Sequence, residues 1–310
     1  MDRELDPRSE ERERDLPRGG SAAHDERRPA PPGDERDVFS RDLELPRGPK
    51  RERVVVRERE YRLRGSEVRT LSVVGAFRVV AADQLRHPDD GSSMLSKDLE
   101  NLKDLGLART EPYVLGRERT TLVTLTDQGR DVLEASRRSI DGNALQAFYA
   151  GVSKPRELAH DLRVPQAYRE AAERLAAEGG RIRRVVLEEE LKREYQSFLQ
   201  APNRGRRSSD GRPGRDPGEV ARWAEEHRLP IVDGRVRFPD VRLEYETLDG
   251  RLDVRDVEVT TPHYRGAHAA AKAASGFARY RAVGARLGGG RGAARGGRCQ
   301  EAHLAEEMLR

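Results

Sequence analysis

The chain has 310 residues, enough for two domains that each bury a core. Charged residues make up 37% and aromatics 5%, so a core must rest on Leu, Val and Ala, and a net charge of +4 is too small for basicity alone to name a nucleic-acid partner. One cysteine, Cys299, excludes an intramolecular disulfide and a cysteine-based zinc cluster, while the charged N-terminus and the lack of a long apolar run lead to the expectation of a bacterial cytoplasmic protein with no membrane partner.

Residues 1–50 alternate Arg with Asp or Glu, are broken by Pro and Gly as at Arg28-Pro29-Ala30-Pro31-Pro32-Gly33, and show no hydrophobic period. That composition predicts a disordered charged tail. Val54-Val55-Val56, within 53–57, adds a short strand. Ser66 then caps a helix whose apolar positions Val68, Leu71, Val74 and Phe77 recur every three residues. A short second helix at 82–86 is followed by the turn-prone run His87-Pro88-Asp89-Asp90-Gly91. The third helix starts near Ser92 or Ser93, carries Leu95, Leu99 and Leu102, and stops at Gly106, a residue suited to a left-handed cap. Runs 107–115 and 120–125 read as a hairpin, and Thr126-Asp127 opens a fourth helix with Val132 and Leu133.

Helix, helix, helix, hairpin, helix is the order of a winged helix-turn-helix, here over 51–138, and it places double-stranded DNA first among expected partners. Ser96, Lys97 and Asn101 on the third helix are candidates for base edges, and Arg109, Arg117 and Arg119 on or beside the wing for phosphates. The alternative is that the module mediates protein contacts. Only six of the 59 basic residues are lysine, a pattern of GC-rich coding, so single arginines carry little weight.

From 143 the pattern alternates between α and β. A strand is expected at 145–149, then a helix with the apolar face Tyr168, Ala171, Ala172, Leu175 and Ala176 ended by Gly179-Gly180, a strand at 182–187 and a helix at 188–199. Residues 203–217, rich in Arg, Gly, Ser, Asp and Pro, read as a flexible insertion. A helix at 218–227 leads to strands at 236–246 and 252–260, joined at Leu248-Asp249-Gly250, and a helix at 266–280 closes the unit. Residues 284–310 form a Gly/Arg-rich tail, disordered apart from a short acidic helix at 302–309. The fold class is thus α+β: a winged helix-turn-helix followed by a restriction-endonuclease-like α/β domain at 143–283.

Pro239-Asp240 begins one strand and Asp256-Val257-Glu258-Val259-Thr260 lies in the next, so Asp240 and Glu258 can face each other across the pair, with Asp256 on the same side as Glu258. Asp240, Asp256 and Glu258 are the candidate metal set, since magnesium or manganese takes oxygen ligands and activates water at a phosphodiester. A nuclease of this class places a lysine two residues after the glutamate; Thr260 stands there, and Lys272 on the following helix is the replacement candidate. The competing explanation is a set of exposed or hairpin-paired acids with no required cofactor. His263, Tyr264, Arg265 and His268 are competent to hold phosphate, or else form a hydrogen-bonded turn. His160-Asp161 precedes a helix start, where Asp161 can simply cap backbone donors. No glycine-rich phosphate loop supports a nucleotide-driven enzyme.

This order resembles the replication-relaxation family of bacterial mobile-element proteins over roughly 43–309, through Arg64-Gly65-Ser66-Glu67, Gly75-Ala76-Phe77-Arg78-Val79-Val80, Leu125-Thr126-Asp127-Gln128-Gly129-Arg130, Glu157-Leu158-Ala159-His160-Asp161 and Thr261-Pro262-His263-Tyr264-Arg265-Gly266-Ala267-His268. The resemblance implies a winged helix joined to an α/β region and a role in plasmid replication or DNA relaxation. The expectation is a DNA-binding protein of a plasmid or mobile element, acting in replication, relaxation or their regulation, with a homodimer or replication proteins as further partners. The alternatives are a metal-dependent endonuclease using Asp240, Glu258 and Lys272, and a winged-helix transcriptional regulator.

Overall fold

The computed structural model describes residues 37–85, 93–115, 118–138, 145–204, 214–260 and 274–281. They form a mixed α+β structure with four small sheets. The first element, α1 (Asp37–Ser40), lies within the stretch expected to be disordered. Phe39, Leu43 and Leu45 are buried in the main core, so the 1–50 boundary is corrected: its last part belongs to the fold. Three isolated apolar residues in a charged segment are too few to give a period, yet each fills a core position.

β1 (Glu52–Val56) and β2 (Arg59–Leu63) make an antiparallel hairpin in which Val54, Val56, Tyr61 and Leu63 point inward and the residues between them outward. Its turn has Arg57 and Glu58 at positive φ, 48° and 67°, where Asn or Gly would normally announce it. β2 therefore carried no turn signal. α2 (Gly65–Phe77) starts one residue before Ser66, and Glu67 reaches back to accept from the Arg64 backbone N–H at 3.0 Å. It is buried nearly all round and forms the centre of this half.

β3 (Val79–Ala81) and a 3-10 turn (Ala82–Leu85) follow, then α3 (Ser93–Asp104), β4 (Ala108–Leu115), β5 (Glu118–Leu125) and α4 (Asp127–Ala135). Gly106 has φ 69°, and the Leu107 N–H donates to Leu102 O, so α3 ends in the left-handed cap expected from sequence. The Thr126 hydroxyl caps α4 by accepting from Gly129 N at 3.0 Å. The three strands pair antiparallel in the order β3-β5-β4.

Residues 145–150 form no strand, contrary to the expectation for 145–149. Gln146 instead uses its side-chain amide as a single rung, donating to Val185 O and accepting from Val185 N, while Tyr149 N donates to Gly75 O. After a 3-10 turn (Pro155–Glu157) come α5 (Leu158–Asp161), α6 (Val164–Ala177), β6 (Arg181–Leu187), α7 (Glu188–Gln200) and α8 (Pro217–Glu226). Asp216 and Glu219 form a capping box at the start of α8, inside the segment read as flexible. The span expected as one strand, 236–246, is broken: a small hairpin of β7 (Ile231–Val232) and β8 (Arg235–Val236) is separated from β9 (Val241–Glu246) by a stretch holding Pro239, which cannot donate to a ladder. β10 (Leu252–Thr260) pairs antiparallel with β9. The helix expected over 266–280 cannot reach its last residues, because β11 (Ala278–Arg281) is a strand parallel to β10. The resulting sheet runs β11-β10-β9-β6.

One continuous core serves both halves, running from Phe39, Val68 and Leu71 through Phe77 and Tyr168 to Val241 and Val259. Phe39, Phe77 and Tyr168 meet with ring centroids 5.1–5.4 Å apart. Among the described residues no helix is long and apolar enough to cross a membrane.

Candidate functional site

The register of β9 on β10 ends at Val241 opposite Val257, so the next rung brings Asp240 and Glu258 together. Both are deeply buried, 5% and 3% exposed, and Asp240 Oδ2 accepts from Val259 N at 2.7 Å. His160, at the end of α5, brings Nε2 to 3.2 Å from that oxygen and Nδ1 to 3.3 Å from Asp161 Oδ1. Burial works against its charge, but the two carboxylates outweigh it and lift the imidazole pKa to about 9, so His160 is an imidazolium at neutral pH.

Asp240, His160 and Asp161 open on a cleft of about 410 Å³ whose walls include Lys154 and Lys192. Lys154 binds Glu157 at 2.9 Å and Lys192 binds Glu188 at 2.7 Å. Arg78 stands at the rim with φ 67°, held by Glu189, by Ala150 O and over the Tyr149 ring. Two of the chain's six lysines thus line one cleft beside Asp240. That scarcity was the available signal for Lys154 and Lys192, whereas His160 was noted in the sequence without its link to Asp240.

Asp256 faces the same side as Glu258 but is committed elsewhere. The Arg242 guanidinium grips it with two bonds, 2.7 and 2.8 Å, and also donates to His227 O. Among the described residues no group of three or more His, Cys, Asp or Glu side chains is arranged to hold a metal ion. Of the remaining oxygen donors, Asp240 and Glu258, Asp240 lies 3.2 Å from the His160 cation. Thr260 ends β10 where a lysine was sought. Lys272, His263, Tyr264, Arg265 and His268 lie outside the described residues, as does Arg117.

In the N-terminal half, Ser96 lies in α3, and Lys97, Glu100, Lys103 and Asp104 are exposed on it. Asn101 differs: it is half-buried and its amide donates to Glu67 at 3.0 Å, so that donor is turned toward the body. Glu67 is 0% exposed and also accepts from Arg51, while neighbouring Asp98 is buried against Arg64. Arg109 and Arg119 are both exposed. Their partners in the ladder, Thr124 and Val114, put them on opposite faces of the β4–β5 ribbon, so they cannot form one phosphate-binding face.

Comparison of the chain with protein-family models, with curated proteins and with solved structures finds no match.

Proposed function

We propose that the chain is a DNA-binding protein of a plasmid or mobile element, in which 51–138 acts as a winged helix-turn-helix and 143–283 as a restriction-endonuclease-like unit. The observation that carries this is the order β3-β5-β4 of the three-stranded sheet, with α2, the 3-10 turn and α3 entering ahead of the β4–β5 hairpin. In that layout α3 is the element that enters a groove, and Lys97 and Lys103 are exposed on it. Mixed charge on the helix favours a protein that uses phosphate contacts for affinity and few side chains for sequence. The resemblance to the replication-relaxation family supports a role in plasmid replication or its control. The test is binding of the full chain to labelled duplexes across a salt series, with Lys97→Ala and Lys103→Ala beside the parent protein.

A metal-dependent endonuclease is the second reading. It is favoured by the order β11-β10-β9-β6, three antiparallel strands with a parallel fourth, and by the Asp240–Glu258 rung at one end of it. Against turnover stand Thr260, the diversion of Asp256 to Arg242, and the His160 cation beside Asp240. The expected outcome is that supercoiled plasmid survives incubation with magnesium or manganese. Nicking that disappears in both Asp240→Ala and Glu258→Ala would establish the nuclease instead.

A further inference from the structure

At the opposite end of β6 from the Asp240 cleft lies a second cleft, of about 360 Å³, lined by five arginines, Arg41, Arg181, Arg183, Arg184 and Arg228, against three carboxylates, Asp42, Glu244 and Asp253. Regular alternation would put Arg184 on the other face of the strand from Arg181 and Arg183. A register shift between Ile182 and Arg184 inserts one extra residue and re-aims the chain, so that all three line the cleft. The irregularity is held from outside, because Arg41 donates to Ile182 O at 3.1 Å and Arg183 O at 2.6 Å. A cation at this position also blunts the free edge of β6.

The guanidinium groups are oriented but not used up. Arg228 binds Asp253 at 2.6 Å, Arg183 binds Glu246 at 3.2 Å, and Arg184 pairs with Glu190 and lies 3.6 Å from Glu244. One carboxylate leaves several of the five N–H donors of each fork available. Arg181 is exposed and has no acidic partner among the described residues. Burial is the main cause that depresses the Arg41 pKa; Asp42 opposes it, and the neighbouring charges of Arg181 and Arg183 add to it.

We propose that this arginine-lined cleft binds phosphate groups, as carried by a nucleic-acid backbone or by a free polyphosphate. Planar, permanently charged forks on a rigid strand suit phosphate oxygens better than a flexible lysine cluster would. The inference does not depend on α3 contacting DNA. It is tested by titrating the full chain with tripolyphosphate in a calorimeter. Arg181→Gln and Arg228→Gln should each weaken binding at least tenfold while keeping the parent thermal midpoint without ligand, and Arg181→Lys should recover part of the loss. Arg222→Gln, at an exposed position on α8 outside both clefts, should leave this affinity unchanged, which separates the cleft from general surface charge. Displacement of tripolyphosphate by a short duplex identifies the nucleic-acid backbone as the source, and failure to displace it identifies a free polyphosphate. The proposal is overturned if the parent chain does not bind tripolyphosphate, or if both glutamine variants bind it as the parent does.

Discussion

Glu67 organises the first half of the molecule from a fully buried position. Its carboxylate accepts from Arg51, from Asn101 and from the Arg64 backbone, so a charge that would be costly alone is stabilised by several donors at once. Asn101→Ala removes one of those donors and should cost about 1–3 kcal/mol, read as a lower denaturation midpoint. Because the amide is turned inward, the same variant should keep the parent ranking of DNA sequences; a relaxed ranking at unchanged stability would return Asn101 to the interface. Gly129 is a second sensitive position, since a Cβ there would run into the Leu107 backbone carbonyl, which cannot swing aside as a side chain can.

The imidazolium of His160 links pH to stability. Its folded pKa of about 9 lies above the ordinary histidine value of 6.5, so its stabilising contribution is complete below about 6.5 and is lost as pH rises through about 9. In metal-free buffer the thermal midpoint should therefore fall between those values, and His160→Gln should flatten the fall. The nearby Lys154 does not blur that window, because its pKa is raised by Glu157 and it stays charged throughout. An equal fall in parent and variant would show that His160 is not the group responsible.

Among the elements, those with a period and a cap were legible in the sequence. α3 with Gly106, α4 with Thr126 and α6 with its alanine-rich face form where capping chemistry and spacing place them. The failures have common physical causes. α1 and its following residues contribute Phe39, Leu43 and Leu45 singly, and the β1–β2 turn uses Arg57 and Glu58 in a conformation that normally calls for Asn or Gly. Residues 145–150 looked like a strand because they are apolar, but their one backbone–backbone hydrogen bond among the described residues, from Tyr149, goes to α2, and the Gln146 side chain does the pairing with β6. At the acidic cleft, period two found the Asp240–Glu258 rung, whereas the Arg242–Asp256 and His160–Asp240 contacts depend on tertiary placement that no local pattern encodes. Phe39→Ala should destabilise the chain by about 3–5 kcal/mol in chemical denaturation, as expected for a buried aromatic truncated in a packed core. A loss below about 1 kcal/mol would mean that α1 is only loosely attached.

For the whole molecule, the shared core is the dominant feature. Residues 51–138 and 143–283 were separate domains in the sequence, yet Phe77, Phe148, Tyr168 and Val241 belong to one buried cluster. The full chain should unfold in a single transition, and an isolated 51–138 piece should be much less stable than the same residues in place, since it would expose the face that meets Tyr168 and Phe148. Two separated calorimetric transitions would instead establish independent domains. DNA contact by α3 is the central functional claim, and fluorescence anisotropy of a labelled duplex with the full chain, from about 50 to 200 mM salt, tests it most directly. The expected result is affinity that falls steeply with salt, with a log–log slope made shallower by about one in Lys97→Ala or Lys103→Ala. No binding at the lowest salt, or binding whose slope is unaffected by both substitutions, would contradict it.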